Sequence, residues 1–407
     1  MLEFRACEGM PAAAEYGKYG MSLMQNTNEQ GLSSLRLSAN SDVLRDRPRP
    51  AALRQDDYDT VFDFRTVFYD VFYLGDQKTV RLIGPPFMNF SDYISAQGFT
   101  CDKGRKPVRA DSYRRDVVSY IDLEFEEPAH GLTLDAGDMG CFQLAIRQNN
   151  IDFFADERVL LTMIKYDPLI WVQDWAEFYV RNHGATAVII YNNQAPGYCK
   201  AEIEHALSNV VGLKKFAVVD WAFPYGPPGG ASGLWDSAFC QAGALEHARW
   251  FYLQKARSVL NHDIDELVVC EKNKSIFDLL EQSTTGHLWY SSVWTSRPKP
   301  DLQEPAILER RHKDYGYYGN LFFSRQQPWD RLGGAKWGVV PEKCSLEAQW
   351  QTHKIEGMQC DQEASAPVFF RHFRDMNTQW KAKRDAPMKA YHRDEDLLSA
   401  YRKIGWA

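Results

Sequence analysis

The sequence predicts an α/β fold: a mostly parallel sheet with helices on both faces, preceded by a small antiparallel β-domain. Three observations carry this. From Arg158 onward, short continuous apolar runs alternate with segments of helical spacing, the pattern of a parallel sheet with crossover helices. Upstream, residues 120–126 alternate strictly, with Ile121, Leu123 and Phe125 on one face and Asp122, Glu124 and Glu126 on the other, the period of a half-buried strand. Several of the downstream apolar runs end in polar residues, and ligands of such sheets bind at the carboxyl ends of strands.

Residues 1–57 are rich in Ala, Ser, Asn, Gly and Arg, and 45–50 (Arg-Asp-Arg-Pro-Arg-Pro) reads as a linker. This segment is expected to be a flexible N-terminal arm or linker, or an arm packed on the body. Residues 58–155 form the β-rich accessory domain. Aromatic and β-branched residues crowd 61–74, another strand is offered by 141–146, and Gly and Pro punctuate the gaps, as in an antiparallel domain of sandwich type. Its default role is structural, with holding an acceptor as the alternative.

Residues 156–407 form the third unit. The run 159–164 is apolar enough for a strand buried on both faces. Residues 169–183 follow with Ile170, Trp175, Phe178 and Tyr179 on one stripe, and Gly184 is a C-terminal stop. Strand 187–191 ends at Asn192-Asn193-Gln194; helix 201–209 and strand 216–219, ending at Asp220, come next. A Pro/Gly loop, 224–233, leads to a long helix over 235–257 with Phe239, Ala242, Leu245 and Ala248 or Arg249 on successive turns. Further on, 275–282 suggests a short helix, 288–294, 321–323 and 368–373 suggest strands, and 377–384 and 394–404 suggest helices. The strand exits 165–167, 192–194, 220–221 and 263–266 are expected to meet at one rim.

The last of these exits is the most informative. In Asn261-His-Asp-Ile-Asp-Glu266, three carboxylates (Asp263, Asp265 and Glu266) fall within four positions. Two acids one residue apart at a strand end are expected to project on the same side. Such charges repel unless a cation lies between them, and a hard divalent ion with phosphate oxygens is the natural partner. The neighbouring Val259, Leu260, Ile264, Leu267 and Val268 set these acids in an apolar run, where unpaired charge is costly.

The formal net charge of −7 does not provide a duplex nucleic-acid surface. The eight cysteines include no CxxC pair, which argues against structural zinc, and reduced thiols of a cytosolic protein fit them better than disulfides. There is no apolar run of the roughly 20 residues a membrane span needs, and residues 1–20 lack the apolar stretch of a secretory leader. The expected location is cytoplasmic, with peripheral attachment at the inner face of the membrane left open.

In order, the chain shows a buried strand, Tyr166-Asp167, a helix carrying Trp175-Ala-Glu-Phe-Tyr179, a strand ending Tyr191-Asn-Asn193, a long helix containing Gln241, and then Asp263-Ile-Asp-Glu266. This resembles the GT-A (Rossmann-like) glycosyltransferases, particularly the family-2 and family-92-like group. Residues 336–341 are similar to that group's Lys-x-(Ile/Val)-x-x-Pro stretch, with Gly338 at the branched position, and His353 and His372 look like its later histidines. The match covers about residues 158–385. It departs at Tyr166 and Asn192, which stand where the group has Asn and Asp, so the donor pocket has one acid fewer.

The resemblance implies a metal-dependent glycosyltransferase that moves a sugar from a nucleotide-sugar donor, a UDP-sugar first, to a glycan or other hydroxyl acceptor with inversion. Mn2+ or Mg2+ is the implied cofactor. Asp265, Asp263 and His372 are the implied metal ligands, Asp263 through water or by binding the ribose instead; Glu266 lies behind them or is structural. Asp167, Asn192, Asp220, Gln241, Arg249 and Asp263 are the implied donor-binding residues. Asp314 is the candidate base, with Glu309 and Asp330 as others. Lys381 and Arg384 could close over the leaving diphosphate, and Trp289, Trp294, Trp329 and Trp337 could line an acceptor groove. Two rivals are a non-catalytic binding module on the same fold and a nucleotidyltransferase; the lack of a Gly-rich, Lys-containing phosphate loop near the first strand counts against the latter.

Overall fold

The computed structural model describes residues 24–25 and 31–406, except 76, 115, 196, 230–232, 271–273, 297–308, 321–334, 363–367, 374–375 and 377–389. The predicted strand at 321–323 and helix at 377–384 lie outside the described residues, as do Trp329, Asp330, Lys381 and Arg384.

The largest sheet runs, edge to edge, Met24–Gln25, Lys215–Asp220, Ala187–Asn192, Arg158–Ile164, Ser258–Asn261, Lys336–Val339, His287–Tyr290 and Asp361–Gln362. Its neighbours are parallel except where Lys336–Val339 runs against Ser258–Asn261 and His287–Tyr290. The sheet is therefore mixed, with one reversed strand. From Arg158–Ile164 the chain adds strands outward on one side, then returns to place Ser258–Asn261 on the other. This reversal of strand order opens a crevice at the carboxyl ends of Arg158–Ile164 and Ser258–Asn261.

Period-two side chains divide these strands between two cores. Leu160, Ile164, Val188, Ile190, Phe216, Val218 and Leu260 pack with helix Leu169–His183, helix Lys200–Ser208 and helix Ile276–Gln282. Val159, Leu161, Ala187, Ile189, Tyr191, Ala217, Val219 and Val259 pack on the other face against helix Cys240–Phe251. Helices thus cover both faces. Gly184, in the left-handed region at φ 72°, ends the first helix and donates its N–H to Tyr179 and Val180 carbonyls.

The helix expected over 235–257 is shorter, Cys240–Phe251. Its would-be first turn is already engaged. The Leu234 carbonyl and the Asp236 carboxylate accept from Arg49 at 2.5 and 2.9 Å, and Ser237 Oγ pairs with Tyr58 OH at 2.7 Å. Arg49 is fully buried, and so is Arg45, which donates to the carbonyls of Pro86, Asp63 and Thr66. Residues 45–50 are therefore packed on the body rather than acting as a linker, because each buried guanidinium is satisfied by backbone oxygens.

Upstream, Asp70–Tyr73, Thr79–Gly84, Ser119–Glu124 and Arg109–Arg114 form an antiparallel sheet in that order. A second antiparallel sheet holds Phe99–Cys101, Gly131–Asp135 and Cys141–Ala145. Val80, Leu82, Ile121 and Leu123 face Phe99, Leu132, Leu134 and Leu144 in one core. The strand at Ser119–Glu124 is not half-exposed as its alternation suggested. Asp122 on its polar face forms a two-pronged pair with Arg81 at 2.6 and 2.7 Å, and that guanidinium lies 4.0 Å over the ring of Trp250 on the long helix. At the same seam Gly243 admits the Tyr69 ring; a Cβ there would lie 2.4 Å from it.

A further sheet, in the order Glu266–Cys270, Val368–Phe373, Ser292–Ser296, Tyr317–Asn320 and Ala390–Arg393, lies beside the large one. The single strand expected at 288–294 is split at Ser291 between the two sheets. Helix Glu395–Ile404 closes the chain, with the Asp394 side chain capping the Leu397 N–H. Among the described residues no helix is long and apolar enough to cross a membrane. Cys199 is disulfide-bonded, which departs from an all-reduced set; Cys101, Cys141, Cys240, Cys270, Cys344 and Cys360 are free.

Candidate metal and ligand site

The apolar stretch containing the acids is two strands, not one. Ser258–Asn261 belongs to the large sheet, and Glu266–Cys270 crosses to the second sheet. The turn between them holds Asp263 and Asp265 at the crevice. Glu266–Cys270 pairs antiparallel with Val368–Phe373, which sets Glu266 opposite His372. The Phe373 N–H also donates to the Asp265 carbonyl at 2.8 Å. Strand pairing therefore delivers a histidine to acids more than a hundred residues upstream.

Asp265, Glu266 and His372 each offer an atom within 4.8 Å of the others, the spacing of a metal-ligand set. His372 Nε2 lies 3.1 Å from Asp265 Oδ2, and its Nδ1 lies 3.9 Å from Glu266 Oε1. The Trp294 ring lies 4.3 Å from the imidazole, tilted by 30°, and fixes its plane. Two carboxylates and an imidazole suit Mn2+ or Mg2+ better than a soft metal.

Behind the cavity-facing atoms the site is buried. Burial pushes the Glu266 carboxyl up to about 8; Asp263 and Asp265 push the same way, and Lys336 and His372 oppose them. Glu266 Oε2 accepts the Asp263 N–H at 3.1 Å and lies 3.2 Å from His262 Nδ1, while His262 Nε2 meets Tyr290 OH at 2.8 Å. Burial first, then the nearby Lys336 charge, holds the His262 pKa well below its ordinary value, so the ring is neutral. Tyr179 OH joins the same layer, donating to the Glu266 carbonyl at 3.2 Å and accepting the Val268 N–H at 3.1 Å.

In front lies a cavity of about 790 Å³, large enough for a drug-sized ligand. Asp263, Asp265, Glu266 and His372 line one side, with Lys165, Asp167, Tyr225, Trp235, Gln241, Trp289, His353 and Lys354 around the rest. Asp167 Oδ2 accepts the Lys165 N–H at 3.2 Å, and Gln241 Oε1 accepts from Tyr225 OH at 3.0 Å. His353 is exposed at the rim, with Nδ1 3.0 Å from the Ala335 carbonyl. Trp235 is 52% exposed and Trp289 39%, so each presents a ring edge or face to this opening.

Other predicted site residues are placed elsewhere. Asn192 Nδ2 donates to Asp220 Oδ1 at 3.1 Å, and Asn192 Oδ1 accepts the Ala195 N–H at 3.1 Å; neither Asn192 nor Asp220 lines the cavity. Arg249 is buried against the Ala348 and Ser345 carbonyls and 4.3 Å over the Trp250 ring, two turns along its helix from Ala242 and outside the cavity lining. Asp314 is exposed and caps its own short turn by accepting the Arg311 N–H at 2.7 Å; like Glu309 it lies outside the cavity lining. Trp337 is fully buried against Trp350. Asp263 pairs with Lys336, whose Nζ is 2.9 Å from its Oδ2. Sequence reasoning placed Lys336 at the head of the Lys-x-(Ile/Val)-x-x-Pro-like stretch without giving it a role, and did not single out His262 or Trp235.

No protein-family model and no curated protein matches the chain. Among solved structures it has a likeness to the apo structure of the bifunctional glycosyltransferase WbbM, at 13% identity and a TM-score of 0.25, over 42% of this chain and 27% of that one. The chain thus spans about a quarter of that protein's resolved length, and a likeness this slight carries no argument about fold or activity.

Proposed function

We propose that this protein is a metal-dependent glycosyltransferase acting on a nucleotide-sugar donor, a UDP-sugar first, with a glycan or other hydroxyl acceptor and inversion at the anomeric carbon. One observation carries the reading. Asp265, Glu266 and His372 gather within 4.8 Å on the wall of a large cavity, at the point where strand order reverses. Mn2+ or Mg2+ fits this hard donor set, and when bound it supplies positive charge for the leaving diphosphate.

The chain's own residues do the rest of the positioning. Asp265 and His372 present their ligand atoms toward the cavity, and Glu266 stands behind them on a rigid strand. Asp167 and Gln241 line the same cavity, where their side chains can hydrogen-bond a ribose or base. Trp235 and Trp289 offer aromatic surface for a sugar ring. The location proposed is cytoplasmic, with peripheral association at the inner face of the membrane.

Thermal unfolding with a panel of nucleotide sugars, with and without Mn2+, tests this. The cognate donor should raise the melting temperature by about 3 °C at a hundredfold excess over Kd, and only with metal. Asp265→Ala should stay folded, lose that shift and abolish sugar transfer. Normal turnover by Asp265→Ala with the true donor refutes the metal role.

A further inference from the structure

Lys336 begins the short apolar strand Lys336–Val339, and its side chain is fully buried. The register Leu260↔Gly338 and Asn261↔Trp337 carries it alongside the acidic turn. At Gly338 the Leu260 side chain fills the space a side chain would take: a Cβ there would lie 2.6 Å from Leu260 Cδ2, so the branched residue expected at this position would displace Leu260. Lys336 Nζ then lies 2.9 Å from Asp263 Oδ2 and 3.5 Å from Glu266 Oε2. A buried ammonium is tolerated only where opposite charge surrounds it.

We propose that Lys336 is a built-in counter-ion: it keeps Asp263 for itself and limits the acidic cluster to one divalent cation. The inference rests on the metal reading above. Metal binding requires its carboxylate ligands to be deprotonated. The Lys336 ammonium is paired with Asp263, which leaves Asp265 and Glu266, with His372, as one ligand set for a single Mn2+ or Mg2+. A second ion would have to draw on the carboxylates beside which Lys336 Nζ already lies, those of Asp263 and Glu266. A second divalent ion on Asp263 would share that carboxylate with the buried ammonium, and like charges at such short range repel. Lys336 does not line the cavity, so it acts through Asp263 and Glu266 and is a positioning residue.

The experiment is Mn2+ binding to the full chain, followed by calorimetry and by the spin-resonance signal of free Mn2+. The unaltered protein should bind one Mn2+. Asp263→Asn should keep that ion with less than about a tenfold loss of affinity, whereas Asp265→Asn should lose about a hundredfold. Lys336→Arg should retain one ion. Lys336→Met should bind a second, and Mn2+ should raise its melting temperature more than that of the unaltered chain. If Lys336→Met does not fold, the contrast between the two aspartate variants still decides. Equal losses in Asp263→Asn and Asp265→Asn overturn the proposal while leaving a metal site intact, as does a folded Lys336→Met that binds one ion with unchanged affinity. Failure of the unaltered chain to bind Mn2+ overturns the metal reading itself.

Discussion

His183 offers a prediction whose size comes from geometry. Its imidazole ends helix Leu169–His183 and is sealed between two other elements. Nε2 donates to the Val268 carbonyl at 2.9 Å, and Nδ1 accepts the Ile276 N–H at 3.3 Å. Both ring nitrogens are thus used by the neutral tautomer, and an added proton would point at a donor. Burial holds the pKa at about 4, against an ordinary 6.5. The unfolded chain therefore takes up this proton before the folded one does. The stabilisation is fully present above pH 6.5 and is lost as pH falls from there toward 4. A gap of about 2.5 units corresponds to about 3 kcal/mol. Urea unfolding at several pH values between 7.5 and 4.5 should show this loss in the unaltered protein and its absence in His183→Gln, so the stability gap between the two narrows in acid. His247, also buried with a lowered pKa, contributes equally to both proteins and cancels in the difference. Parallel stability curves would mean that His183 does not carry the effect.

Arg249→Ala should destabilise the protein by about 3 kcal/mol, since it strands the Ala348 and Ser345 carbonyls; urea unfolding measures this, and donor binding per folded molecule should not change. Trp235→Ala should leave stability within about 0.5 kcal/mol, because the ring is half exposed. If the ring packs on a bound ligand, the same variant weakens that ligand by about 1 kcal/mol, roughly fivefold in KM. Gly243→Ala should cost about 1–3 kcal/mol by driving a methyl into the Tyr69 ring, read as a lower urea midpoint.

Much of the fold was legible because its signals are local. The runs at Arg158–Ile164, Ala187–Asn192 and Lys215–Asp220 are apolar over consecutive positions, and both of their faces are buried. Gly184 and Asp394 mark a helix end and a helix start through turn chemistry that neighbouring residues determine. What could not be read was what distant segments cover. Asp122 and Arg81 look like a solvated face until Trp250, more than a hundred residues later, lies over them. Residues 45–50 have the composition of a linker, yet Arg45 and Arg49 are anchored by carbonyls of other segments.

The same distinction governs the site. The acids were visible as a cluster, but their directions were argued from the period of a continuous strand, and the strand is broken. Ser258–Asn261 stops two residues before Asp263, and Glu266 begins a strand in another sheet. Side chains in the turn follow their partners rather than a two-residue period: Asp263 goes to Lys336 and Asp265 to His372. Both partners come from strands that pair with the two halves of the broken run, Lys336–Val339 with the first and Val368–Phe373 with the second. The break is thus what separates the acids into a lysine-bound carboxylate and a histidine-bound one. A turn altered to extend Ser258–Asn261 directly into Glu266 would keep every acid and lose the division between them, because one continuous strand cannot join two sheets here at once.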